Sequence, residues 1–197
     1  FDASKHVVEQ HWATSKDGTK VPYFLVRPKD LKLDGSAPTL LYAYGGFQVS
    51  QTPGYAASVG KLWLERGGVY AIANIRGGGE FGPRWHEAGL KLNRQRVYDD
   101  FFAVSEDLIA RKVTNPKKLG IMGGSNGGLL MGVALTQRPE LYNAVVIQVP
   151  LFDMIGYTHI GAGASWVGEY GDPANPAERA VIDTYSPYQK LAKGQPY

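Results

Sequence analysis

The run KLGIMGGSNGGLLMGVAL (residues 118 to 135) sets one serine, Ser125, among four glycines where an apolar strand pattern gives way to a helical one. Glycine inside a strand or helix costs roughly 0.5–1 kcal/mol relative to alanine, so the cluster needs a geometric reason. Gly123-Gly124-Ser125-Asn126-Gly127 has the G-x-S-x-G arrangement, in which a sharp strand-to-helix turn thrusts a serine out above a sheet. Small neighbours are then needed because a Cβ would collide with the adjacent strand or helix. The chemistry this suits is nucleophilic attack on an acyl carbon. The following helix points its N-terminus at the site, where negative charge is favoured, and the backbone N–H of Asn126 is placed to donate to an oxyanion. A second donor usually comes from the loop after the third strand, here Tyr44-Gly45-Gly46-Phe47. Spacing alone leaves Tyr44 open between that role and a core aromatic that closes its strand.

Other chemistries fit less well. Gly77-x-Gly79-x-x-Gly82 follows a strand, and Asp99 lies about 20 residues on, as in a dinucleotide fingerprint. Glu80 would then face a pyrophosphate, and Pro83 to Gly89 makes a poor helix for the following position. His6, His11, His86 and His159 have no metal-ligand spacing among themselves, so no metal is expected and no organic cofactor is implied. A serine nucleophile needs a base, and where a G-x-S-x-G turn presents the serine the order along the chain is Ser, then Asp or Glu, then His. His159 is the one histidine after Ser125, but it follows the sixth strand too closely. Asp153, just past that strand, reads better as a carboxylate that fixes its loop than as the acid.

The elements that must position these residues can be read from periodicity. VVEQHWATS (7 to 15) and VPYFLVRP (21 to 28), joined by KDGTK, predict a hairpin. TLLYAYGGF (39 to 47) and VYAIANIRGGGEFG (69 to 82) are apolar runs that end in glycines, and AASVGKLWLERG (56 to 67) between them has helical spacing up to Gly67-Gly68. Arg94 to Arg111 predicts an amphipathic helix with Asp99 and Asp100 on or near its polar side. KLGIMGG, LLMGVALTQRPE and AVVIQVP (144 to 150) then give strand, helix and strand, and YGDPANPAERA (170 to 180) a loop before a short helix. Alternating strands and helices imply a mostly parallel α/β sheet covered on both faces, with ligands beyond the carboxyl ends of the strands.

Composition sets the outer bounds. With 197 residues, 44% hydrophobic and 20% charged, the chain has the mixture of one globular domain. The net charge of +3 comes from interspersed Lys and Arg, which argues against a nucleic-acid patch, and nothing approaches the roughly 18 consecutive apolar residues of a membrane span. Zero cysteines remove disulfides and a thiol nucleophile together, which fits a cytoplasmic protein. The chain opens FDASKHVV, without Met or a signal pattern, so a periplasmic location stays open.

YAYGGF (42 to 47), NIRGGGEFG (74 to 82) with Trp85-His86, GGSNGG (123 to 128), Trp166 and Tyr170 together resemble the peptidase domain of prolyl oligopeptidases over nearly the whole chain. The resemblance implies an α/β-hydrolase fold and a serine peptidase that cuts short peptides after proline through an acyl-enzyme on Ser125. It assigns the Tyr44 hydroxyl to the oxyanion beside the Asn126 amide. It assigns Phe47, Trp166, Tyr170 and, by position, Leu151 to the pocket for the proline before the cut bond. An apolar ring stacks well on indole, which suits that pocket. About six of the usual eight strands are recognised, so residues 1–197 are expected to be a partial hydrolase domain. The family's propeller and the C-terminal part bearing the triad Asp and His would then lie outside this chain. The isolated residues are expected not to turn over peptide, and a sheet edge near the sixth strand is expected to invite self-association. The rivals are a general α/β-hydrolase esterase and a non-catalytic binding module.

Overall fold

The computed structural model describes residues 1–197. Strands β1 (His6–Thr14) and β2 (Lys20–Pro28) form the expected hairpin, with His6 opposite Pro28 and Thr14 opposite Lys20. β3 (Thr39–Tyr42) leads through helix α1 (Ala57–Leu62) to β4 (Val69–Ala73). Helices α2 (Pro83–Glu87) and α3 (Gln95–Ala110) precede β5 (Leu119–Gly124), and α4 (Asn126–Gln137) joins it to β6 (Ala144–Gln148). Short helices α5 (Val167–Tyr170), α6 (Pro176–Tyr185) and α7 (Pro187–Lys190) complete the chain.

The sheet runs β1-β2-β4-β3-β5-β6. β4, β3, β5 and β6 are mutually parallel, and the hairpin adds two antiparallel pairings, so the sheet is mixed. One row across it, Leu25–Ala71–Leu41–Ile121, is fully buried on the face where α3 and α4 pack. The adjacent row, Phe24–Ile72–Tyr42–Met122, is half-buried; toward it Leu64, in the turn after α1, shares a cavity with Val26, Tyr70 and Ile72. Along the edge strand β6, Ala144, Val146 and Gln148 are exposed, so that strand is not covered on both faces as its apolar sequence suggests. No helix is long and apolar enough to cross a membrane.

Two further expectations need correction. The helix read over 56 to 67 stops at Leu62, because Trp63 leaves helical geometry and its indole donates to the carbonyl of Val69 at 2.8 Å. A separate 3-10 turn then runs Leu64–Arg66. Asp100 is fully buried rather than on the polar side of α3. Its Oδ2 accepts from the backbone N–H (3.0 Å) and Nε (2.9 Å) of Arg76, and its Oδ1 from Nη2 (2.7 Å). Arg76 donates onward to Asp17 in the hairpin turn, at 2.6 and 3.1 Å. A buried pair of this kind is weak evidence for net stability, but it ties the chain after β4 to α3.

Candidate active site

The carboxyl ends of β3, β4, β5 and β6 converge, and each is followed by an irregular turn. At the end of β5 the chain reverses through Ser125, whose φ of 57° and ψ of −117° lie where L-residues are rarely held without a structural demand. Its N–H donates to the carbonyl of Gln148 at 3.0 Å, which anchors the turn to β6, while the side chain is exposed. The glycines divide by role. A Cβ on Gly123 would stand 2.4 Å from the carbonyl oxygen of Gly127, and one on Gly128 2.7 Å from that of Gln148, so backbone crowding requires both. At Gly124 a Cβ would meet Gln148 at an ordinary 3.7 Å, so collision does not explain that glycine.

Ser125 opens onto a cavity of about 270 Å³ lined by Pro150, Leu151, Phe152, Tyr157, Ile160 and Trp166 among others. Leu151 and Trp166 thus share a space with the serine. Phe47 and Tyr170 do not line it. They meet edge to face with centroids 5.7 Å apart, and Tyr170, itself sealed from solvent, packs on Tyr157 at 5.6 Å. Tyr170 therefore backs the cavity wall. Sequence reasoning missed Phe152, Tyr157 and Ile160, because this stretch has neither helical nor strand periodicity.

Tyr44 follows β3 and is half-buried beside the turn. Burial pushes its phenol above the ordinary pKa, and the neighbouring Ser125 side chain opposes that rise. Asn126 is the first residue of α4, so its backbone N–H has no intrahelical acceptor. Its side chain is fully engaged. Nδ2 donates to the carbonyl of Tyr44 at 2.7 Å, and Oδ1 accepts from Tyr170 (2.7 Å) and Arg94 (2.6 Å).

The histidines are dispersed. His11 pairs with Glu9, His6 approaches the carbonyl of Leu64, and His86 binds Glu169, while His159 is exposed and outside the lining of the serine cavity. Asp153 accepts from Ile155 and Gly156 backbone N–H groups and from Gln189, a loop-fixing pattern led by Gln189 that holds its carboxyl below the ordinary value. No cluster of three or more His, Asp or Glu side chains gathers as for a metal.

A sequence model described as the prolyl oligopeptidase family matches residues 55–197. The chain belongs to the prolyl oligopeptidase family. It is 66% identical over its whole length to an uncharacterized peptidase of Sinorhizobium fredii, covering 27% of that protein, and 41% identical to a prolyl endopeptidase of Elizabethkingia meningoseptica, covering 28%. The structure of a post-proline cleaving enzyme from Rickettsia typhi superposes on all of it with a TM-score of 0.98 at 54% identity, the chain spanning 28% of that enzyme. The chain thus spans little more than a quarter of the relatives it matches. The family is one of serine peptidases, and the mixed sheet with its flanking helices is an α/β-hydrolase fold.

The segment after Phe47 curls over the end of β4. There Glu80 Oε1 accepts from the N–H of Gln51 at 3.0 Å, and Oε2 is buried with no partner. Burial raises the Glu80 pKa above its ordinary 4.5. For a carboxyl raised by folding, the proton is held more tightly in the native state. Its contribution is full below pH 4.5 and is lost as pH climbs through the raised value. Glu80→Gln keeps the acceptor for Gln51 and removes the titration. Its urea midpoint should exceed the wild-type value at pH 8 and lose that advantage toward pH 4; equal midpoints at pH 8 would show that the buried carboxylate is not strained.

Proposed function

We propose that Ser125 is the nucleophile of a peptidase that hydrolyses short peptides on the carboxyl side of proline through an acyl-enzyme. The observation that carries the reading is an outward serine at positive φ opening directly onto a cavity walled by Trp166, Leu151 and Tyr157. In this reading the serine hydroxyl attacks the scissile carbonyl, the oxyanion is met by the Asn126 amide and the Tyr44 hydroxyl, and the proline ring enters the apolar cavity. The proton passes to a base that none of the four histidines here is positioned to be, so the complete reaction belongs to the intact protein. An apolar slot selects by shape and stacking, which suits a ring with no donor to satisfy. Short proline-containing peptides are the corresponding substrates.

Residues 1–197 are proposed to contribute nucleophile, oxyanion donors and specificity pocket to a larger peptidase. An esterase would use the same serine but would lack a preference at the residue before the bond. The test is cleavage of matched amide substrates with proline or alanine at that residue by the intact protein. Trp166→Ala should reduce the proline preference by about 5- to 150-fold, the range expected for about 1–3 kcal/mol of lost pocket contact. Undiminished preference would locate the specificity pocket elsewhere.

A further inference from the structure

Beneath the serine turn lies a buried ionic group that the motifs do not mark. Arg94, at the start of α3, and Glu169, on α5, are almost wholly buried, and Arg94 Nη1 donates to Glu169 Oε1 at 3.0 Å. The guanidinium reaches four further residues, of which Tyr98, on its own helix, receives Nε at 3.4 Å. Nη2 donates to Asn126 Oδ1 (2.6 Å) and to the carbonyl of Gly45 (3.3 Å), and its carbon lies 4.9 Å from the ring centroid of Tyr170. Glu169 accepts from the backbone N–H of Phe47 at 2.9 Å on Oε1, and from His86 Nε2 at 2.6 Å on Oε2. Phe47 has a φ of 54°, uncommon for an aromatic residue, so the bond to its N–H helps hold a backbone that would relax if released.

We infer that Arg94 and Glu169 are positioning residues that lock the oxyanion loop, residues 44–47, to the turn of Ser125 and to the wall of the proline cavity. Each half of the site is tied to the pair, one by hydrogen bonds and the other through α5 and the Arg94–Tyr170 contact. On the oxyanion side are Gly45, Phe47 and, through Asn126, the carbonyl of Tyr44. On the pocket side Glu169 sits on α5 beside Tyr170, just beyond Trp166. The fork is what the geometry uses, since one guanidinium meets a carboxylate, an amide oxygen and a backbone carbonyl in fixed directions. An ammonium keeps the charge but cannot span those acceptors in the same fixed geometry. The inference rests on the acyl-enzyme reading of Ser125 and adds a specific consequence: the benefit of the Tyr44 hydroxyl depends on the pair.

The test uses Arg94→Lys in the intact protein, which leaves Glu169 with a compensating charge. kcat for a proline amide substrate should fall about 10- to 100-fold, as for misplacement of a catalytic donor by roughly an ångström, with KM changed by less than about threefold. Tyr44→Phe, costly in the wild-type background, should cost at least about tenfold less in the Arg94→Lys background. An unchanged kcat, or the same Tyr44→Phe factor in both backgrounds, would overturn the inference. If Arg94→Lys does not fold, Glu169→Gln takes the same two measurements, and failure of both to fold would also overturn it, since the pair would then be a stability device. Turnover retained by Ser125→Ala is a different result and removes the acyl-enzyme reading itself.

Discussion

Ser125→Ala in the intact protein should abolish proline-directed amide cleavage, a loss of about 10⁴- to 10⁶-fold in kcat as expected when a nucleophile is removed from a triad. The fold should persist. The backbone N–H that ties the turn to Gln148 is untouched, the side chain is exposed, and alanine carries the same Cβ through the positive-φ turn as serine does. The melting temperature should therefore stay within about 3 °C, the shift expected for surface changes of half a kcal/mol or less. A serine-directed phosphonate should label the wild-type protein and leave the variant unlabelled. Turnover close to wild type would refute the nucleophile assignment, and an unlabelled wild-type protein would favour a binding module.

The serine turn was legible in the sequence because its signal is local. Strand, small residues and helix occupy one continuous stretch, and the backbone crowding at Gly123 and Gly128 is the reason anticipated for them. What the sequence concealed depends on partners far along the chain. Asp100 reads as part of a polar helix face until Arg76 is brought against it, 24 residues away in sequence. Arg94 falls in helical register with Val97, Tyr98 and Phe101, all buried, and a charge in that stripe is the one available hint that α3 carries a buried cation. Its carboxylate partner, Glu169, lies 75 residues on in a helix too short for periodicity to speak. Tyr170 is placed in the pocket by the family resemblance alone, and the sequence does not show that its hydroxyl holds Asn126 and its ring is sealed. Periodicity sorts inside from outside; it does not say which buried polar atoms meet.

Tyr44→Phe isolates the other large effect, because it removes one hydroxyl and little else. The carbonyl of Tyr44 would still receive the Asn126 side chain, and the ring would keep its half-buried place, so the loop should hold its course and stability should change by less than about 1 kcal/mol. Burial pushes the phenol pKa up, so the hydroxyl keeps its proton, and its capacity to donate, throughout the neutral and mildly alkaline range. A donor aimed at the oxyanion acts in the transition state, where charge on the carbonyl oxygen has developed, and only weakly on the bound substrate. kcat should accordingly fall about 10- to 1000-fold while KM moves little. The deficit should stay constant across neutral to mildly alkaline pH, since the wild-type phenol does not ionise there. An unchanged kcat would return Tyr44 to the role of an aromatic that closes β3. A rise in KM with kcat preserved would instead make the hydroxyl a ground-state contact to the peptide, acting before the oxyanion forms.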